Sequence, residues 1–304
     1  MKSKDTIYFA TDNDKRGIYN MYGTSWTTAS IISSTSGIPF KIPLEQSKIR
    51  KNNYLRKVTT LGDLLQDKGY YNEVISGAKT KFGALYDYFK IHGDYNIIDP
   101  ETVDNYKINV DYNKTGAWGF NDKYMFDLAK DRLTTLASKE EPFNEILIGI
   151  DSHPIDGYKT DFTINKYKKR YENVYATESI LISDFINWLK EQPFYEDTVI
   201  VIVGDHLCMQ TSFMNKVSIE DRGRFNLIIN SSVTTKNTKN RGVASYDLYP
   251  TIVAAMGGKI KDNQIGLGVN LFSNKKTLIE KYGKDKLNNE MLKKSQFYID
   301  LMKE

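Results

Sequence analysis

Histidine is scarce in this chain, with three in 304 residues, and two of the three end apolar runs beside an aspartate. One run is EILIGIDSH (145–153), which ends on Asp151 and His153; the other is TVIVIVGDH (198–206), which ends on Asp205 and His206. Asp205-His206 offers a metal one carboxylate oxygen and one imidazole nitrogen, a mixture that suits Mn2+ or Zn2+ better than Ca2+. The same pair also reads as an aspartate capping the next turn beside a hydrogen-bonded loop histidine, and a metal needs more ligands than two. A second kind of chemistry is suggested by MYGTSWTTAS (21–30), where Thr24, Ser25, Thr27 and Thr28 surround Trp26 ahead of the apolar Ile31-Ile32. A threonine hydroxyl is a poor nucleophile until a base or a metal lowers its pKa. At a helix start, unpaired N–H groups and the macrodipole stabilise an alkoxide or a phosphoryl group. Thr27 or Thr28 sits at that point. The competing reading makes the hydroxyls plain N-caps and Trp26 a hydrophobic staple.

These groups act only if the fold brings them together. Both histidine-ended runs are continuously apolar and β-branched, as buried parallel strands are. Between them the pattern predicts a helix over Tyr167–Glu191, with Val174, Leu181, Phe185, Trp188 and Leu189 on one face. Strand, helix, strand is a βαβ unit, so the class is α/β with a largely parallel sheet. Ligands bind beyond the carboxyl ends of such strands; adjacent strands would put Asp151, His153, Asp205 and His206 on one rim. Further helices are expected at 29–36, stopped by Gly37 and Pro39, and at 61–68, 82–91 and 247–258. FNLIINSS (225–232) reads as another strand. The short connections suggest one domain.

Composition narrows the function. Hydrophobic residues make up 40% and charged residues 26%, and the net charge of +4 is interleaved rather than blocked. That excludes a dedicated nucleic-acid surface, and no feature marks a protein partner. The lone Cys208 excludes an internal disulfide; it reads as a small buried filler ahead of a soft ligand. No apolar window approaches the roughly 18 residues of a membrane span, and Ile7–Ala10 is too short for a signal peptide's apolar region. His92 is expected to stabilise the end of helix 82–91. Lys79, Lys81 and Arg241 are read as surface charge or as contacts for an anionic group. Trp118, in WGFND, is read as core or as a sugar or glycerol platform. The run 274–287 reads as a solvated amphipathic helix with turns.

Taken in order, GTSWTTASIISSTSGIPF (23–40), WGFND (118–122), DSHPIDGY (151–158), VIVGDHLCM (201–209), YDLYPTIVAAMG (246–257) and GLGVNLFS (266–273) resemble one family. It is the bacterial phosphoglycerol transferases of the alkaline phosphatase/sulfatase superfamily, including periplasmic glucan-modifying enzymes and, more distantly, lipoteichoic acid synthases. The resemblance is collinear from about residue 20 onward. It implies an α/β, alkaline phosphatase-like fold with a mixed, largely parallel sheet between helical layers. It implies Thr27 as the nucleophile and a metal ligand, Asp205 and His206 as metal ligands, and His153 as a substrate-side catalytic residue. Trp118 and Arg241 enter as substrate-binding candidates. The implied cofactor is a divalent metal, Mn2+ first, with Zn2+ or Mg2+ as alternatives. The implied reaction moves glycerophosphate from a phosphatidylglycerol-type lipid to a glycan or glycerol hydroxyl through a phosphothreonine, at the extracytoplasmic face of the membrane.

Two alternatives accompany this reading. One is phosphoethanolamine transfer or sulfate-ester hydrolysis, the latter disfavoured because no C/S-x-P/A-x-R pattern surrounds Thr27. The other is an inactive remnant or a glycan-binding pseudoenzyme. It arises because the family carries a glutamate-ended strand several tens of residues before the threonine. Here 26 residues precede Thr27, and TIYFATDND (6–14) has no glutamate. Either Asp12 or Asp14 substitutes, or that strand and ligand are missing. The expectation is the second: one catalytic domain over 1–304, truncated at its N-terminus and lacking the usual first strand and membrane helices.

Overall fold

The computed structural model describes residues 6–12, 16–41, 55–106, 119–209, 214–215 and 217–302. Contacts divide the chain into two compact units, each with its own sheet. The first draws on residues 1–61, 196–207 and 216–304, the second on 62–195 and 208–215.

In the first unit, strands β1 (Thr6–Ile7), β5 (Ile200–Val203) and β6 (Asn226–Ile229) form an antiparallel sheet in the order β1-β6-β5. Ile200 lies opposite Ile229 and Val203 opposite Asn226. Strand side chains alternate between faces, so Val199, Val201 and Val203 all pack against one core of Ile7, Phe9, Ile18, Ile228, Val243, Leu248 and Leu271. Helix α1 (Thr27–Ser36) buries a face of small residues, Thr28, Ala29, Ser30, Ser33 and Ser36, with Ile32. Small side chains allow close approach to the helix Ser245–Ala255, which α1 contacts. Gly37 ends α1 in the left-handed region at φ 74, its N–H donating to Ser33 O. A Cβ there would sit 2.7 Å from Ile265 O, so position 37 admits only glycine without strain.

In the second unit, β2 (Tyr71–Ser76), β3 (Asn96–Ile98) and β4 (Phe143–Ile148) form a parallel sheet in the order β3-β2-β4. Tyr71 lies opposite Phe143 and Ser76 opposite Ile148. The helix Asp122–Ala137 packs on β2 and β4 through Met125, Leu128, Ala129, Leu133 and Leu136, the spacing of a one-sided helix. Its N-cap is Asn121, whose Oδ1 accepts from Tyr124 N. It also packs on the helix Arg170–Lys190, where the Phe126 and Phe185 rings lie 5.0 Å apart.

The runs ending in His153 and His206 are strands, as expected: β4 pairs in parallel with β2, and β5 antiparallel with β6. Continuous apolar residues specify burial and do not name a partner. Among the described residues the second unit's strand pairs are parallel and the first unit's antiparallel, a mixed pattern. The expected helix over 82–91 is broken, because Gly83 and Ala84 both take positive φ and separate a short 3-10 turn from Leu85–Ile91.

Candidate active site

Thr27 is the first helical residue of α1, following Trp26 in extended conformation at φ -150. That turn aims its side chain at the end of β5, where Thr27 Oγ1 donates to Asp205 Oδ2 at 2.7 Å. Asp205 Oδ1 accepts from His206 N at 2.8 Å, which fixes the other half of the carboxylate. His206 Nδ1 lies 2.9 Å from Leu207 O. A carbonyl only accepts, so Nδ1 carries the hydrogen and the neutral ring keeps its lone pair on Nε2. Nε2 lies 3.4 Å from Asp205 Oδ2. A hydroxyl oxygen, a carboxylate oxygen and an imidazole nitrogen therefore gather at one point, the donor set that suits Mn2+ or Zn2+. The Asp205 side chain is 43% exposed, so the point is open to solvent.

The neighbouring hydroxyls do other work. Thr24 Oγ1 accepts from Met21 N and donates to Met21 O, closing the turn before α1. Thr28 is buried. Asp12, one of the two substitutes considered for the missing acidic ligand, accepts from Arg16 Nε and Arg16 N at 3.1 Å; Asp14 lies outside the described residues. Trp118 also lies outside them.

Arg241 is corrected: it is neither surface charge nor available to a head group. Its side chain is 3% exposed, with Nε donating to Glu280 Oε1 at 2.6 Å and the other nitrogens to Asn237 O, Leu271 O and Lys275 O. It ties the loops around the helix Leu278–Tyr282 together. Lys79 and Lys81 are exposed and pair with Glu101. His92 sits at the end of the helix Leu85–Ile91 as expected, buried, with Nδ1 2.9 Å from Asp63 Oδ2. Cys208 is half-buried, its thiol 3.7 Å from Tyr171 Oη.

His153 belongs to the second unit. Its N–H donates to Ile150 O, and its Nδ1 lies 2.7 Å from Pro154 O. The loop that carries it is strapped by Asp122, whose carboxylate accepts from Ile150 N at 2.6 Å and Asp151 N at 3.3 Å. Asp122 N in turn donates to Asp151 Oδ2. The backbone passes so close that a Cβ on Gly149 would lie 2.6 Å from Asp122 Oδ2. Asp151 therefore faces inward, where Asp122, Asp151 and Glu178 bring carboxylate oxygens within 4.8 Å of one another. Burial is the main cause that raises the pKa of all three above the ordinary carboxylate range, followed for Asp151 and Glu178 by the charge of Asp122. Asp151 is pushed up to about 7 and Glu178 to about 11. Asp151 Oδ1 and Glu178 Oε1 have no hydrogen-bond partner, and the all-oxygen donors of the group would suit a hard cation. The sequence reading missed Asp122 and Glu178 because each looks like an ordinary helix acid.

It also missed Arg224, a buried arginine just before β6 that donates to Asp205 O, Ser30 Oγ, Tyr19 O and Ser245 Oγ. Nothing in RGRFN (222–226) separates it from the surface Arg222.

With this geometry in place, comparison with known families matches residues 18–258 to the Sulfatase family. The chain belongs to the sulfatase family. This sulfatase-family chain is 28% identical over 259 residues to phosphoglycerol transferase I of Salmonella choleraesuis, covering 83% of the chain and 33% of that relative. The chain thus spans about a third of that curated relative's length. Two solved structures share the fold. A lipoteichoic acid synthase from Listeria monocytogenes superposes with a TM-score of 0.68 at 16% identity, over 89% of this chain and 67% of that one. A protein in the alkaline phosphatase superfamily from Vibrio parahaemolyticus gives 0.64 at 20% identity, over 85% and 61%. The fold is that of the alkaline phosphatase superfamily, as the motifs led us to expect.

Proposed function

We propose that this chain carries the catalytic centre of a metal-dependent phosphoglycerol transferase with Thr27 as its nucleophile. The observation that carries the proposal is the 2.7 Å hydrogen bond from Thr27 Oγ1 to Asp205 Oδ2 at the start of α1. Asp205, His206 and Thr27 would hold a divalent cation, whose charge lowers the hydroxyl's pKa and neutralises developing charge on phosphoryl oxygens.

Asp205 Oδ2 orients the Thr27 hydroxyl and accepts its proton as attack begins. The new bond joins Thr27 Oγ1 to the phosphorus of a phosphatidylglycerol-type lipid. The bond to the diacylglycerol oxygen breaks, and diacylglycerol leaves with a proton. The N-terminus of α1 adds favourable dipole for the phosphoryl oxygens. In the second half, a glycan or glycerol hydroxyl attacks the phosphothreonine, loses its proton and releases Thr27. By the family resemblance, His153 moves a proton at Nε2 in these steps, at the extracytoplasmic face of the membrane. The similarity to phosphoglycerol transferase I supports the choice of donor.

The test is intact-mass spectrometry after incubation with Mn2+ and phosphatidylglycerol, without acceptor. A glycerophosphate adduct on Thr27, absent from Thr27→Ala, is expected. An adduct on Thr28, or one that persists in Thr27→Ala, would show that another hydroxyl is the nucleophile.

One observation favours a second reading, a glycan-binding or otherwise non-catalytic role. Among the described residues, the one group of three or more acidic, histidine or cysteine ligands is Asp122, Asp151 and Glu178; Asp205 and His206 gather no third. Titration with Mn2+ discriminates. One equivalent bound in the wild type and none in Asp205→Ala/His206→Ala supports the transferase, and no binding in the wild type supports the other reading.

A further inference from the structure

We infer that Arg224 is a positioning residue of this site: its buried guanidinium locks the main chain at Asp205 to helix α1, setting the distance between nucleophile and carboxylate. The inference rests on the transferase reading above.

Four contacts carry the argument. One terminal nitrogen, Nη1, donates to the carbonyl of Asp205 itself and, at 3.0 Å, to Ser30 Oγ. Ser30 lies one turn along α1 from Thr27 and is buried. A single nitrogen therefore spans the two partners of the Thr27–Asp205 hydrogen bond from behind. The other, Nη2, donates to Tyr19 O at 3.0 Å and to Ser245 Oγ at 2.6 Å, at the start of the helix that packs on α1. The backbone of Arg224 is held as well, since Ile18 N donates to Arg224 O at 2.9 Å and Arg224 N to Ile18 O at 3.0 Å. A planar fork fixed at its root and at its tips leaves Asp205 little freedom to move from Thr27.

The charge itself calls for a reason. Arg224 is 2% exposed, all four acceptors are neutral carbonyls or hydroxyls, and Nε has no hydrogen-bond partner. A buried charge without a paired counter-ion is costly, and a neutral side chain of similar volume would spare the fold that cost. Burial accordingly draws the guanidinium's pKa down to about 10, and the one charge that works against this is Asp205. The positive charge thus sits at the main chain of Asp205, the residue that holds Thr27, where it favours negative charge developing at the hydroxyl. A neutral amide, with two N–H donors on one nitrogen, could not serve the four acceptors. Geometry and charge together require arginine.

The test compares wild type, Arg224→Lys, Arg224→Ala and Ser30→Ala by rate of adduct formation on Thr27, by Mn2+ affinity and by thermal unfolding. A small misplacement of reacting groups costs about 100-fold in rate, and a loss of that order is expected in kcat for Arg224→Ala, with KM for the lipid within about threefold. Arg224→Lys keeps the charge, but one ammonium cannot serve both the Asp205–Ser30 pair and the Tyr19–Ser245 pair, so an intermediate loss is expected. Guanidinium ion at millimolar concentration should restore part of the Arg224→Ala rate, a rescue that methylammonium should not match; mere loss of stability would show neither. Ser30→Ala guards against an unfolded Arg224→Ala: it removes only the tie to α1, and a kcat loss of about tenfold is expected at nearly unchanged Tm. Folded Arg224→Lys and Ser30→Ala proteins with wild-type kcat would overturn the inference while leaving the transferase reading standing. A wild type that binds no Mn2+ and forms no adduct would overturn that reading, and this inference with it.

Discussion

Thr27 makes one strong side-chain contact, to Asp205, and is only half-buried. A single hydrogen bond to a charged partner is worth about 1.5–3 kcal/mol, so Thr27→Ala should keep the fold, lower Tm by a few degrees and lose all adduct. Thr28→Ala should remain active. Because Thr28 is buried at 2% exposure against the helix packing of α1, it should cost stability instead. Intact-mass and thermal-unfolding measurements on the two variants separate the roles: equal activity in both would mean that neither hydroxyl is the nucleophile. Asp205 and His206 allow a second test. A cation that binds only the native state stabilises it by about 2.7 kcal/mol at a hundred times its dissociation constant. Mn2+ should therefore raise Tm in the wild type and do nothing in Asp205→Ala/His206→Ala. An unchanged shift in the double variant would remove these residues from the metal site.

At the scale of elements, the loop after β4 is held by carboxyl groups that prefer to be protonated. Asp151 titrates near 7 in the folded chain, above its ordinary 3.8, with burial the first cause and the charge of Asp122 the second. The native state thus binds the proton more tightly than the unfolded state does. Its contribution to stability is complete below about pH 4 and is lost as pH rises through 7. Glu178 and Asp122 shift in the same direction. Asp151 alone should lower stability by about 3 kcal/mol between pH 5 and pH 8, read by urea unfolding, and Asp151→Asn should reduce the slope by that share. A wild type more stable at pH 8 than at pH 5 would contradict the strap as described. Gly149→Ala gives a second check, since its Cβ would press on Asp122 Oδ2. It should destabilise without touching Mn2+ binding.

For the whole molecule, the two effects fall in different units. Thr27, Asp205, His206 and Arg224 belong to the first, and Asp122, Asp151, Glu178 and His153 to the second. Each unit has its own sheet and buried residues, so local stabilities need not move together. Hydrogen exchange read by mass spectrometry should show Mn2+ protecting α1 and residues 200–207. A change from pH 5 to pH 8, corrected for intrinsic rates, should deprotect 122–125 and 149–153. Protection by Mn2+ confined to the second unit would point to the Asp122 cluster as the cation site and away from Asp205.

Much of this was legible in residue types. The hydroxyl-rich turn before Ile31, the glycine after Ser36 and the Asp-His ending of an apolar run each follow local chemistry, so α1, β5 and the candidate nucleophile could be placed from short windows. The family motifs singled out Thr27 from Thr28, and in the structure Thr27 donates to Asp205. Strand partners were not legible: Ile200 lies opposite Ile229 in an antiparallel pair, and an apolar strand is equally apolar whichever neighbour it takes. Nor were Arg224, Arg241, Asp122 and Glu178. A charged side chain reads as solvated until partners distant in sequence enclose it; for Arg224 these are Ser30, 194 residues away, and Tyr19, 205 away. Local sequence determined which groups could react and which segments could be helix or strand. Only the tertiary structure decided which charges lost their water, because burial is set by partners that no short window contains.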